Sequence, residues 1–274
     1  MNKMNHRSVE TAGGVRPAAQ AGRFYPAEPA RLRAEIAGFM AAADATGGLA
    51  PKAIIAPHAG YMFSGPVAAF AFAALASVRG QIRRVVLLGP AHYVAFRGLA
   101  TSGASAFATP LGQVPVDADL TARATAGSRV QDLAAAHRPE HCLEVELPFL
   151  QNVLAAFTIM PLLVGEAGDA EVVDVLDTLW GGPETLVVVS SDLSHYHDYA
   201  AARELDAETA AAIVALDADR IDGERACGWK PIRGLLQVAR QRNLCCRQLD
   251  LRNSGDTAGP RDRVVGYGAF AFEG

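Results

Sequence analysis

The sequence predicts an α/β fold, a single domain with a mostly parallel or mixed central sheet and helices on both faces. Three observations predict it. Short apolar runs rich in β-branched residues alternate with longer segments of helical spacing, the pattern of successive βαβ units. No linker or repeat divides the 274 residues, and with 50% hydrophobic and 20% charged residues they can fill one large core. Finally, three of the apolar runs end in a polar turn that carries a histidine, at the strand ends where open α/β sheets gather their ligands.

Residues 1–16 are expected to form a flexible N-terminal tail, with the folded domain over 17–274. A helix is expected over 30–43, then a strand over 52–56 and a turn over 57–65. Pro66 suits the first position of the next helix, to about residue 78, because its missing N–H would be unbonded there anyway. A strand over 83–88 stops at Gly89-Pro90, and shorter strands follow in 99–109 and 112–116. Helical spacing returns over 118–126 and again over 141–157, where Pro148 demands either a kink or a late start. The remaining pattern is a strand at 158–164, a helix at 171–180 and a buried strand at 186–190. Helices at 199–216 and 232–241 and a closing strand at 264–272 complete it.

The net charge of −4 and a pI near 6.0 argue against a nucleic-acid partner, and the basic residues form no block that would bind a membrane surface. The longest apolar stretch, 67–78, is too short to cross a bilayer, and the N-terminus has no apolar leader core. Cys142, Cys227, Cys245 and Cys246 form no secreted disulfide framework, so a reducing cytoplasm is the expected location. Glycine-rich phosphate loops, the Gly-x-Ser-x-Gly elbow and His-Glu-x-x-His are all missing, which disfavours nucleotide binding and serine hydrolysis.

His58 follows the run 54–57 and His92 follows 85–91, in equivalent slots. One such histidine could simply cap a strand by bonding a carbonyl. Two in matching positions favour a shared metal or catalytic site. The third run leads into Ser190-Ser191-Asp192-Leu193-Ser194-His195. There Asp192 could orient an imidazole or accept a proton, and His195 could act as acid or base, although the same cluster also suits a helix N-cap. His141 and Glu144 lie three apart, so on a helix they would share a face as an imidazole–carboxylate pair. Cys227, just before a helix, is by spacing alone better read as a small buried apolar residue than as a reactive thiolate.

Taken together, these segments resemble the Memo family, whose prokaryotic members are called AmmeMemoRadiSam system protein B. The resemblance rests on Ala21-Gly22-Arg23-Phe24-Tyr25-Pro26, Ala56-Pro57-His58-Ala59-Gly60-Tyr61 with Ser64-Gly65, and Leu88-Gly89-Pro90-Ala91-His92. It continues through Glu140-His141, Glu144, Leu147-Pro148, Ser190-Ser191-Asp192, His195, Cys227-Gly228, Pro231-Ile232, Ser254-Gly255-Asp256 and Val265-Gly266-Tyr267, in the family's order.

The resemblance implies a fold like that of class III extradiol dioxygenases, which hold non-haem Fe(II) with two histidines and a carboxylate. Carried over by motif, His58 and His92 are the histidine ligands. Cys227 takes the third place, where the dioxygenases have glutamate. His195, Asp192 and His141 become the proton-handling residues, with Glu144 and Tyr61 supporting the site from behind. The resemblance implies Fe(II) first; cysteine keeps the ligand charge of the glutamate but is softer, which also admits Cu or Zn. The implied function is a metal-dependent oxidoreductase acting on an unknown small molecule. Two other classes stay open: a non-catalytic module for a peptide, metabolite or metal, and a partner of a radical SAM enzyme and an AMMECR-type protein, which the family name suggests.

Overall fold

The computed structural model describes residues 13–43, 48–127 and 129–274. Its elements, in chain order, are β1 (Val15–Arg16), α1 (Pro29–Ala42), β2 (Ala53–Ala56), α2 (Tyr61–Ala73), β3 (Arg84–Pro90), β4 (Leu99–Thr101), β5 (Ala106–Thr109) and β6 (Gly112–Pro115). They continue with α3 (Ala118–Thr125), β7 (Val130–Asp132), α4 (Ala134–His137), α5 (Leu147–Val153), β8 (Thr158–Val164), α6 (Asp169–Leu179), β9 (Thr185–Ser190), β10 (His195–His197), α7 (Tyr199–Val214), α8 (Trp229–Gln241), β11 (Cys245–Asn253), α9 (Ser254–Thr257) and β12 (Val264–Glu273).

The main sheet has the order β10-β12-β2-β9-β3-β8-β4-β7, with β11 also paired to β12, and a small second sheet has the order β1-β5-β6. Its centre, β2-β9-β3-β8, is all parallel, so the carboxyl ends of four strands meet at one edge. Antiparallel β12 flanks β2 and antiparallel β4 flanks β8, which makes the sheet mixed as expected.

The central strands are continuously apolar because both their faces are buried. Val85 and Leu87 of β3 enter one core and Val86 and Leu88 the other, the two-residue alternation of a pleated strand. The first core is closed by α1, α2 and α5, and Phe72 stacks on Phe149 in it with centroids 5.0 Å apart. The second is closed by α3, α6, α7 and α8. In it Gly234 lets α8 press onto α6, since a Cβ there would lie 2.4 Å from Val172. Among the described residues no helix is long and apolar enough to cross a membrane.

Several expectations need correction. Helix α2 begins at Tyr61, so Pro66 lies inside it. The Tyr61 N–H donates to the Phe24 carbonyl (2.8 Å), which anchors an extra first turn before the proline. Helix α8 likewise begins at Trp229, with Pro231 within its first turn, where a missing N–H costs nothing. The helix expected over 141–157 starts late, at Leu147 with Pro148 second, after a 3-10 turn at Glu144–Glu146. Strand β11 has no counterpart in the sequence pattern, because Cys-Cys-Arg-Gln-Leu-Asp-Leu-Arg-Asn has no clean alternation; its pairing with β12 supplies the order. Of the expected tail, residues 1–12 lie outside the described residues. Arg16, however, is buried and belongs to the domain, because its guanidinium pairs with Glu144 (2.6 Å).

Candidate metal centre

Strand geometry brings the histidines together. Residues following β2, β3 and β9 emerge side by side at the parallel edge, so His58, His92 and Asp192 become neighbours. The segment between α4 and α5 adds Glu140 and His141, and the loop before α8 adds Cys227. Gly228 makes that last approach feasible. A Cβ there would lie 2.7 Å from the Ser191 side chain, whose Oγ accepts the Gly228 N–H at 2.9 Å.

The ring centroids of His58 and His92 are 5.2 Å apart, those of His58 and His141 5.3 Å, and those of His92 and His141 4.6 Å. Donor atoms of these three imidazoles all lie within 4.8 Å of one another, a spacing that one metal ion can bridge. Cys227 is not part of that trio; its Sγ lies 3.2 Å from His58 Nε2. A second group, His92, Glu140 and Cys142, meets the same spacing immediately behind the first.

Each ring is held from outside the centre. The Asp192 carboxylate accepts the His58 backbone N–H at 2.7 Å, and Ser190 Oγ meets His58 Nδ1 at 2.8 Å. Burial, then the neighbouring His92 and His141, holds the His58 pKa well down, so the ring is neutral, the form that binds metals. Glu140 serves the other two histidines. Its carboxylate accepts the His92 backbone N–H (2.8 Å) and ring Nδ1–H (2.9 Å), together with the His141 backbone N–H (2.9 Å). Burial opposes ionisation here, but hydrogen bonds from His141 and His92 overcome it and keep Glu140 charged.

Burial and the Asp192 charge push the Cys227 thiol up to about 12, and burial also raises Asp192. His195 bonds the Leu193 carbonyl through Nδ1 (2.8 Å), which leaves Nε2 for the cleft. That cleft, of about 800 Å³, is lined by His58, His92, His141, Asp192, His195 and Cys227. All six residues expected as ligands or proton carriers therefore face one cavity.

Glu144 and Tyr61 stand farther back. Glu144 does not pair with His141, because residue 141 precedes the helical turn and the two share no helix face. It instead receives Arg16 (2.6 Å), Tyr25 Oη (2.6 Å) and the backbone N–H groups of Ala19 and Gln20, tying the N-terminal segment to the segment that carries His141. Tyr61 donates its hydroxyl to the Val145 carbonyl (2.7 Å) and packs between Tyr25 and Phe149. The carboxylate that orients His141 is Glu140, which no spacing in the sequence marks. Its adjacency to His141 was the only available signal.

The Memo-like protein family model matches residues 16–271. A MEMO1 family protein of Methanopyrus kandleri is 34% identical over 282 residues, covering 94% of this chain and 98% of that protein. Another, of Methanosarcina mazei, is 32% identical over 272 residues, covering 94% and 99% respectively. A third, of Methanothermobacter thermautotrophicus, is 33% identical over 273 residues, covering 92% and 98%. Across nearly the whole folded domain, and through the segments that build the cleft, the chain belongs to the Memo family.

Proposed function

We propose that the cleft binds a divalent metal and carries out oxidoreductase chemistry on a small molecule. The observation that carries this reading is the convergence of His58, His92 and His141 from three separate segments to within 4.8 Å at an open cleft. The donor set fits such an ion. His58 is neutral, His92 has its Nδ1–H spent on Glu140 and so presents Nε2, and a thiol sits beside His58. His58 and His92 would hold the metal, with Cys227 as the third ligand and His141 competing for that place. Imidazole and thiolate donors together suit Fe(II), Cu or Zn rather than Mg or Ca, and Fe(II) is the ion that the family resemblance implies. Such an ion would supply redox or Lewis-acid chemistry at positions the protein leaves open.

The chain's own residues supply orientation and proton transfer. Asp192 fixes the loop that carries His58, and Glu140 fixes the two rings opposite. His195, with Nδ1 held by a carbonyl, can take or give a proton at Nε2 within the cleft. Metal analysis of anaerobically purified protein tests the reading. Stoichiometric iron, copper or zinc that is lost in His58→Ala supports it; equal metal content in both proteins rejects it. Comparing Cys227→Ser with His141→Ala identifies the third ligand, and oxygen uptake with candidate small molecules tests turnover.

Exposed Tyr93 and Tyr196 at the cleft mouth favour a second reading, a site that holds a peptide or metabolite without converting it. Saturable binding without turnover by the metal-loaded protein would select that reading.

A further inference from the structure

Behind His58 lies a glutamate that the chemistry above does not use. Glu146 is 1% exposed, and no cation pairs with it among the described residues. Its Oε1 is 2.7 Å from Ser190 Oγ. The same hydroxyl lies 2.7 Å from the Cys142 carbonyl and 2.8 Å from His58 Nδ1. Ser190 is wholly buried, so these three atoms are its partners.

A hydroxyl has one hydrogen and two lone pairs. A carbonyl can only accept, so the Ser190 hydrogen belongs to Cys142. The other two partners must then donate to Ser190 Oγ. His58 donates only with its hydrogen on Nδ1, and Glu146 donates only as the neutral acid. We infer that Glu146 is a positioning residue: a protonated carboxylic acid that, through Ser190, locks the His58 ring with hydrogen on Nδ1 and the Nε2 lone pair toward the cleft.

Independent features agree with this count. Burial without a cation, with the Asp192 charge nearby, favours the uncharged acid. Tyr61, packed nearby, offers Glu146 no hydrogen, because its hydroxyl is spent on the Val145 carbonyl (2.7 Å). On the far side of the ring, Cys227 Sγ sits 3.2 Å from Nε2, where a thiol hydrogen would meet a bare lone pair. The inference rests on the metal reading only for what that lone pair is used for.

Two spectra of the metal-free protein at neutral pH test it. Infrared difference spectra of wild type against Glu146→Gln are expected to contain a carboxylic-acid C=O band lost in the variant. Nitrogen-15 imidazole spectra are expected to show His58 protonated at Nδ1. Glu146→Gln, whose amide can still donate to Ser190, is expected to keep that tautomer and the wild-type metal uptake. Glu146→Ala removes one of the two bonds that hold the Ser190 hydroxyl in its rotamer, so its hydrogen can leave the Cys142 carbonyl for His58 Nδ1; an Nε2–H population should appear and metal affinity should fall about tenfold.

An ionised Glu146, an Nε2–H ring in wild type, or Glu146→Gln behaving like Glu146→Ala would overturn the proposal. If Glu146→Ala does not fold, the wild-type and Glu146→Gln spectra decide. A correct tautomer in a protein that takes up no metal would leave this proposal standing and remove only the metal reading.

Discussion

The two ends of the parallel sheet both gather polar side chains, but they use them in opposite ways. At the amino end, Lys52 Nζ donates to the carbonyls of Trp180 (2.7 Å), Gly182 (2.7 Å) and Thr185 (2.5 Å). Nearby, Asp117 accepts from Thr158 (2.7 Å) and pairs with Arg84 (3.2 Å). Donors and acceptors there satisfy one another and knit the turns together. At the carboxyl end, carboxylates and hydroxyls grip the outer sides of the imidazoles, and ring nitrogens are left facing a cleft. A polar cluster becomes a site when its partners hold each group in place and still leave one of its atoms unspent.

The sharpest way to break this contrast is to delete an unspent nitrogen. His58→Ala should lower metal affinity by on the order of a hundredfold or more, measured by metal titration, while the amino-end contacts persist. A comparable loss from an amino-end substitution would erase the distinction.

His137 supplies the next test, as a histidine whose nitrogen is fully spent. Its Nε2 meets the Ala100 carbonyl at 2.9 Å, and burial lowers its pKa to about 4. Between an unfolded value near 6.5 and that folded value, the unfolded chain binds the extra proton, so stability falls as the pH drops through this window. The loss should approach about 3 kcal/mol and level off below pH 4, relative to His137→Gln, in denaturant titrations.

At the amino end, Lys52→Met should cost about 2 kcal/mol of stability by leaving three carbonyls short of a donor, with metal content unchanged. Smallest in effect, Glu140→Gln should weaken metal binding about tenfold, because the amide cannot accept all the N–H groups that the carboxylate does. Thermal unfolding of the same variant separates this from a general loss of structure.

What the sequence made legible follows from which interactions are local. Val85 to Leu88 announce a strand buried on both faces, and the prolines and histidines after β2 and β3 announce its functional edge. Helix starts were misjudged at Pro66 and Pro231, because anchoring from distant backbone or tolerance in a first turn outweighed the local signal of a proline. Glu144 was assigned to the wrong partner for a similar reason. Its true partner, Arg16, is 128 positions away, and no periodicity reports such a pair. Glu140 and Glu146 were invisible as orienting groups because only the folded chain places Ser190, His92 and Glu140 within hydrogen-bond reach of the rings.

The pairing of β2 has a consequence for the order in which this molecule can be built. The strand that delivers His58 lies between β9 and β12, both synthesised long after it. While the ribosome is still making the middle of the chain, His58 has no sheet to stand on, and an early encounter with a metal would meet a floppy loop. Strand β2 gains its first neighbour only when β9 has emerged, and its second only with β12. A chain cut short before Val264 would keep every candidate ligand and still lose one of the two strands that flank the one aiming His58.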